Sequence, residues 1–239
     1  MQSIFKRYEI KYLITGEQYD ELGRILSLHM EPDDYDDYLV QNLYYDTDGW
    51  DVIRLSLEKP VYKEKLRLRC YGVMAQANGS FLELKKKYKD IVYKRRLAIP
   101  FSELSRRTVR EYVMADSSQI AKELAYYFQT HEVSPKIYIS YQRVAFSGIR
   151  DRGFRVTFDR DLHFRQEDLH FIDPGSGYRI LPDDRILMEI KTFGGMPVWL
   201  ARALCDNEVF PTTFSKYGVC YTDYILNERA PERKELLYV

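Results

Sequence analysis

Residues 64–70 read EKLRLRC, with Lys65, Arg67 and Arg69 on every second position and Leu66 and Leu68 between them. Successive side chains of a β-strand point to opposite faces, so this segment carries three cations on one face and leucines on the other. The ordinary resolution, leucines inward and cations in water, would constrain little if the pattern stood alone. It recurs. Glu9 with Lys11, Glu83 with Lys85 and Lys87, Tyr141 with Arg143, Arg155 with Thr157 and Asp159, and Glu189 with Lys191 each share one parity. The alternate positions hold Ile10, Leu66, Leu68, Leu82, Leu84, Val156, Phe158 and Ile190. Two architectures accommodate strands of this kind. An open sheet packs its apolar face on helices and shows its ions to solvent. A barrel turns the apolar face outward under helices and lines a wet tunnel with charge.

Residue choice favours the tunnel. Burying one unpaired ion costs several kcal/mol, so an inward set of cations demands water, counter-acids and a polyanionic ligand. Arginine dominates several of these strands, and its planar fork suits bidentate contact with phosphate oxygens. Glu9 and Glu189 each stand two residues before a lysine. A carboxylate among cations can hold a divalent metal that bridges phosphates, since Mg²⁺ and Mn²⁺ favour one or two carboxylates plus ligand oxygens.

The charge is uneven along the chain. Lysine plus arginine and aspartate plus glutamate both total 36, which argues against a generally basic nucleic-acid coat. Yet Glu31–Asp51 contains eight acids and no base, whereas Arg54–Arg96 contains 13 bases and four acids. Lys86, Lys87 and Lys89 read as solvated members of that basic block. Cys70, Cys205 and Cys220 are widely separated and lack histidines at ligand spacing, so reduced structural thiols are expected. No apolar run approaches a membrane span, and MQSIFKRYEIKY lacks a signal peptide's apolar segment, so a cytoplasmic protein that does not span a membrane is expected.

The 239 residues contain no Pro, Gly or Ser-rich linker and read as one α+β domain, 1–239. Strand-like FKRYEIKYLI precedes a helix opened by Thr15 and Gln18 at capping-box spacing. QNLYYDT, KEKLRLRCYG, FLELKKKY and IVYKRRLAI form an antiparallel meander, with Asp48-Gly49 and Asn78-Gly79 as turn signals. Helical periodicity over 101–130, with Ser117 or Ser118 as a cap, separates this half from KIYISYQRVAFS, GFRVTFDRDLHF and RILMEIKTF. A helical region follows from about Pro197.

The segments RYEIKY, LRLR, ELK, YQR, FRVTFD, MEIK and SKYG, in this order, resemble the polyphosphate polymerase domain of the vacuolar transporter chaperone (VTC) family, a branch of the triphosphate tunnel metalloenzymes, over about residues 4–226. The resemblance implies an antiparallel β-barrel tunnel with a charged interior, flanked by helices. It implies binding of inorganic polyphosphate, tripolyphosphate or the phosphates of ATP or another nucleoside triphosphate, with Mn²⁺ or Mg²⁺. Lys11, Arg67, Arg69, Lys85, Tyr141, Arg143, Arg155, Lys191 and Lys216 are the implied phosphate contacts. One of Lys94 or Arg95 adds a further cation. Lys216, Arg143 and Lys85 are the implied catalytic set, and Glu189 with Glu9 the metal side. The broader superfamily opens with two alternate glutamates before a lysine. Here the residues are Arg7, Glu9 and Lys11, which argues against hydrolase-like two-metal chemistry. The chain resembles a stand-alone bacterial version, without the phosphate-sensing domain and membrane helices found beside this domain in eukaryotic proteins. Three activities follow in order of expectation: transfer of the ATP γ-phosphate to a growing polyphosphate chain, metal-dependent hydrolysis of tripolyphosphate or nucleotides, and polyphosphate binding without turnover.

Overall fold

The leucines of EKLRLRC face outward, under helices. In the computed structural model, which describes residues 8–33, 37–72, 79–89, 91–171 and 176–227, the strand Tyr62–Tyr71 lies between two neighbours in an eleven-stranded antiparallel sheet. In chain order the strands are β1 (Tyr8–Thr15), β2 (Met30–Pro32), β3 (Tyr38–Asp46), β4 (Tyr62–Tyr71), β5 (Ser80–Tyr88), β6 (Ile91–Ile99), β7 (Ser134–Gly148), β8 (Arg155–Arg165), β9 (Tyr178–Arg179), β10 (Arg185–Thr192) and β11 (Pro211–Thr212). The helices are α1 (Gly16–Leu26), α2 (Asp51–Leu57), α3 (Phe101–Leu104), α4 (Val109–Ala115), α5 (Gln119–Thr130), α6 (Val198–Asp206) and α7 (Lys216–Val219), the last continued by a wide π-type turn over Cys220–Leu226.

The hydrogen-bonded order is β11-β1-β10-β8-β7-β3-β4-β5-β6, with β2 added to β7 and β9 to β8. The sheet curls into a half-barrel. Among the described residues no ladder joins β6 to the β1–β11 edge; instead the Lys85 ammonium on β5 meets the Glu9 carboxylate on β1 at 3.1 Å across the gap. The barrel expected from the sequence is therefore closed on this side by ions rather than by a strand pair.

Register explains why one face is ionic. Lys65 lies opposite Lys85, Arg67 opposite Glu83 and Arg67 also opposite Tyr44, so β3, β4 and β5 put these side chains on the same concave face. Leu66, Leu68, Cys70, Leu82 and Leu84 take the convex face and pack against Val109, Val113, Leu124 and Phe128 of α4 and α5. A second outer core joins Tyr12, Ile14, Val156, Phe158 and Ile190 to Leu22 and Leu26 of α1 and Leu200 of α6. The concave face is not ionic throughout. Val40, Tyr44, Ile137, Ile139, Phe164 and Leu187 form a third core with Tyr217, Cys220 and Tyr221, so the C-terminal helical segment fills one end of the lumen with apolar side chains.

Local signals read from the sequence act as expected at several places. Thr15 and Gln18 form both bonds of the capping box of α1, at 3.2 and 3.0 Å. Ser118, not Ser117, caps α5. Gly72 ends β4 at φ +76, a conformation that favours glycine. Asn78 and Arg7 lie outside the described residues. Helix α2 was not legible in the periodicity, since Asp46 of the preceding strand supplies its cap: one carboxylate accepts the backbone N–H groups of Thr47, Val52 and Ile53. All three cysteines are free, and among the described residues no helix is long and apolar enough to cross a membrane.

The outward face of β4 makes a direct prediction. Leu66, 0% exposed, should lose about 2–5 kcal/mol of stability on replacement by alanine, as buried leucines do. Urea denaturation measures it, and a change under about 0.5 kcal/mol would show that this leucine is not core.

Candidate functional site in the cation-lined lumen

The ionic part of the lumen is organised around four carboxylates. Glu83 on β5 is 1% exposed. Its Oε2 accepts Arg67 Nε and Nη2 at 3.0 and 2.9 Å, and its Oε1 accepts Lys94 Nζ at 2.6 Å and Arg96 Nε at 2.8 Å. Arg69 stands 3.9 Å away. Burial pushes the Glu83 carboxyl upward, but Arg67, Arg69 and Lys94 outweigh it and hold the group well below the usual carboxylate range. Asp159 on β8 is fully buried. It receives Arg143 through a two-pronged contact of 2.6 and 2.7 Å and Lys216 at 2.6 Å. Burial works against its ionisation, and these two cations still bring it to about 2. Glu189 on β10 takes Lys191 at 2.9 Å, and Glu9 takes Lys85. In both, burial raises the carboxyl and the lysines overcome it.

Among the described residues, two lysines of the lumen have no acid in contact. Lys11 Nζ donates to the Phe214 carbonyl at 2.5 Å, and Lys65 Nζ donates to Ser215 Oγ at 3.4 Å. Burial, then the repulsion of Lys63, Lys11, Lys85 and Arg67, lowers Lys65 to about 7. Burial also lowers Lys11 to about 8, against the pull of Glu189, and Lys94 to about 8 despite Glu83. A cavity of about 450 Å³ opens where these residues converge, between β1 and the β4–β5 pair, lined by Glu9, Lys11, Lys65, Lys85, Lys87 and Ser215 among others. Lys87 thus borders the cavity instead of standing wholly in solvent.

The lumen's polar neutral groups meet its cations as acceptors. Arg69 Nε is held by Asn42 Oδ1 at 2.8 Å, and its Nη2 donates to the Tyr141 hydroxyl at 3.2 Å. Lys216 Nζ lies 4.4 Å from the Tyr141 ring centre and the Arg143 guanidinium 5.1 Å. Burial alone would raise the Tyr141 phenol; Arg143, Arg69 and Lys216 reverse this and lower it to about 8. Arg155 pairs with Asp33, and its Nε and the Thr157 hydroxyl are buried without a hydrogen-bond partner among the described residues.

Of the residues expected on one face, the structure brings Glu9, Lys11, Arg67, Arg69, Lys85, Lys94, Tyr141, Arg143, Arg155, Glu189, Lys191 and Lys216 onto the concave side by register or contact. The choice between Lys94 and Arg95 resolves to Lys94. Arg95 shares the parity of Leu97 and Ile99 and pairs with Glu123 of α5 at 2.7 Å on the outer face. Arg96 is the cation that sequence reasoning missed, although its parity opposite Leu97 and Ile99 was there to be read. Glu83 and Asp159 were recognised as facing inward, but not as the counter-ions that fix Arg67, Arg143 and Lys216.

Lys216 owes its position to the C-terminal segment. Ser215 caps α7 by accepting the Gly218 N–H at 3.2 Å. The next side chain, Tyr217, donates to Asp46 at 2.6 Å and stacks on Tyr44 with ring centres 4.8 Å apart. This anchor turns Lys216 toward Asp159.

Over 198 residues, 70% of this chain, the sequence is 25% identical to vacuolar transporter chaperone complex subunit 4 of Schizosaccharomyces pombe. The matched part is 27% of that relative, so the chain spans only a fraction of the larger protein's length. In fold it is similar to a Hippeastrum protein, described as an adenylyl cyclase candidate in which a triphosphatase activity dominates. The TM-score is 0.56 at 17% identity, over 90% of this chain and 95% of that one. The profile of the family described as the VTC domain matches residues 6–224, nearly the whole chain, and the chain belongs to that family.

Proposed function

We propose that this protein binds inorganic polyphosphate and the phosphates of a nucleoside triphosphate in its ionic lumen, and transfers the terminal phosphoryl group of ATP to a polyphosphate chain. The observation that carries this reading is the uncompensated charge around Lys65. A half-buried ammonium surrounded by Lys11, Lys63, Lys85 and Arg67, with a serine hydroxyl as its contact, is unfavourable until an anion enters. A linear polyanion offers oxygens to many cations at once, which suits a set of cations spread over several strands.

Phosphoryl transfer needs positioning and charge neutralisation more than covalent help from protein. Arg67, Arg69, Arg143 and Arg155 hold phosphate oxygens, Lys65 and Lys85 neutralise the chain at the cavity, and Lys216 with Tyr141 brings donors to the charge that develops at the transferring group. An acceptor phosphate attacks the γ-phosphorus, the bond to the β-bridging oxygen breaks, and the nucleoside diphosphate leaves.

A divalent metal fits the donor set in a limited way. Glu9 and Glu189 occupy diagonal positions on paired strands and feel each other's charge. Among the described residues no group of three carboxylate, histidine or cysteine ligands exists. Mg²⁺ or Mn²⁺ on Glu189 and Glu9 would therefore draw its remaining ligands from phosphate and water, as such ions commonly do, and would supply neutralisation of phosphate charge. Hydrolysis is the second reading, favoured by the likeness in fold to the Hippeastrum protein in which a triphosphatase activity dominates.

Incubating the purified protein with ATP and Mn²⁺ and resolving the products on a gel tests the assignment. Polyphosphate is expected; orthophosphate alone would establish hydrolysis, and neither product would remove both enzymatic readings. Glu189→Gln should abolish metal-dependent turnover and leave tripolyphosphate binding largely intact, measured by the ligand's shift of the melting temperature. Unchanged turnover would reject Glu189 as a metal ligand.

The lysines give a pH dependence. With Lys65 at about 7 when folded and near 10.5 ordinarily, the unfolded chain holds the extra proton between those values, so this residue's contribution to stability rises with pH across that window. An anion that binds the charged form acts oppositely, and its affinity through Lys65 falls over the same window. Lys65→Met should raise the melting temperature of the ligand-free protein near pH 7 and weaken tripolyphosphate binding roughly ten- to a hundredfold. It should also flatten the pH dependence of binding above 7. Equal slopes for the variant and the parent protein would show that Lys65 does not titrate with the ligand.

A further inference from the structure

Arg155 differs from Arg67 and Arg143 in how it is held. Its register partners are Lys191 on β10 and Ser147 on β7, which puts it on the concave face. Arg67 and Arg143 each meet a carboxylate with two nitrogens, and those carboxylates, on Glu83 and Asp159, are deeply buried. Arg155 meets Asp33 through Nη2, its Nε has no hydrogen-bond partner among the described residues, and its side chain is 38% exposed. A guanidinium carries five donors in a fixed fork, so the Asp33 pair uses a fraction of what Arg155 offers.

Asp33 reaches the lumen from an added element. It follows β2, the three-residue strand paired to β7, and its backbone N–H donates to the Ala145 carbonyl at 2.8 Å. Its Oδ1 accepts Ser147 Oγ at 2.6 Å, and its Oδ2 accepts Arg155. Backbone and one carboxylate oxygen are thus tied to β7, while the other oxygen serves Arg155. Tyr38, opposite Arg143 in the β3–β7 ladder, feels the charges of Arg143, Arg155 and Asp33, which places the pair beside the lumen's arginines. Carboxylate and phosphate offer a guanidinium the same kind of acceptor, so Asp33 occupies a contact that a ligand phosphate would use. The pair also stands apart from the lysine cavity. Arg155 faces Lys191, and Lys191 faces Glu9, which lines that cavity, so two strand spacings, about 10 Å, lie between Arg155 and Glu9 along the sheet.

We propose that Asp33 is an internal competitor for Arg155, which pairs with the guanidinium whenever no ligand phosphate does and so loosens the lumen's hold on long polyphosphate chains but not on short ones. This rests on the phosphate reading of the lumen and adds to it a residue that sets how readily a chain moves. A diphosphate among Lys11, Lys65 and Lys85 leaves the Asp33 pair intact. A long chain that runs on along the lumen reaches Arg155 and displaces the carboxylate. When such a chain advances, each phosphate–arginine contact breaks before the next forms, and a partly buried guanidinium left bare is costly. With Asp33 in place that contact is exchanged for another ion pair instead of being lost.

Titration calorimetry and dissociation kinetics with two probes, pyrophosphate and a long linear polyphosphate, test this. Asp33→Asn keeps an oxygen for Ser147 and removes the charge that holds Arg155. It should bind the long chain about three- to fivefold more tightly, through slower dissociation, and pyrophosphate with unchanged affinity. Arg155→Ala tests the same contact without touching Asp33: it should weaken the long chain alone, and in that background Asp33→Asn should have no effect, the coupling that a double-mutant cycle measures. Long-chain affinity unchanged or weaker in Asp33→Asn would overturn the proposal. So would equal gains for both probes, or a gain that survives in Arg155→Ala, since either shows that only the lumen's overall charge has changed. If the parent protein binds neither probe, the phosphate reading itself fails and Asp33 has nothing to compete with.

Discussion

Glu83 receives four cations at or within 3.9 Å and is almost wholly buried, and the lumen depends on such carboxylates. A guanidinium removed from water without a partner is expensive, and breaking a buried pair costs about 3–5 kcal/mol. Glu83 and Asp159 make the cation-lined face possible by fixing Arg67, Arg96, Arg143 and Lys216 through short, charge-assisted bonds. The same bonds set the side-chain directions. A ligand then meets donors that are already aimed, and little rotamer entropy remains to be lost. The stability that this face does not supply comes from the convex side, where two leucine- and aromatic-rich cores join the sheet to α1, α4, α5 and α6.

The cations divide by what holds them. Arg67, Arg143 and Lys216 have carboxylate partners, so an incoming phosphate competes with an existing ion pair and its net gain is small. Lys65 and Lys11 rest on a hydroxyl and a carbonyl, where exchange for a phosphate oxygen gains most. Affinity should accordingly concentrate at the β1–β4–β5 cavity, and orientation deeper in the lumen. The depressed lysine pKa values at the cavity express the same physics as the arginine network: charge held in reserve in one place and held in position in the other.

Much of this was legible in the sequence because period two is unforgiving: a one-residue slip sends every side chain to the other face. Lys65, Arg67 and Arg69 fixed β4, and Glu83 with Lys85 fixed β5. The run YKRR on β6 was ambiguous in isolation, since it offers cations on both parities. Leu97 and Ile99 resolve it once the convex core is known, placing Arg95 beside Glu123 and Arg96 beside Glu83. Short-range patterning could not yield α2, whose cap is the carboxylate of Asp46 on the preceding strand. Nor could it show that the concave face turns apolar at one end, because that depends on where Tyr217 and Tyr221 return from the far end of the chain.

That return explains why so short a helix as α7 can matter to a site built on strands. Asp46 is a single buried carboxylate that caps α2 and accepts the Tyr217 hydroxyl. Lys63, on the lumen side of β4, reaches the Ser56 carbonyl near the end of α2 at 3.2 Å. Helix α2 therefore touches the C-terminal plug through Asp46 and the basic cavity through Lys63. Displacing it would disturb Lys216 and Lys63 together, although neither belongs to the helix. The positions of lumen cations from opposite ends of the sequence are thus tied to one carboxylate that contacts no ligand, which makes Asp46 a positioning residue rather than a catalytic one.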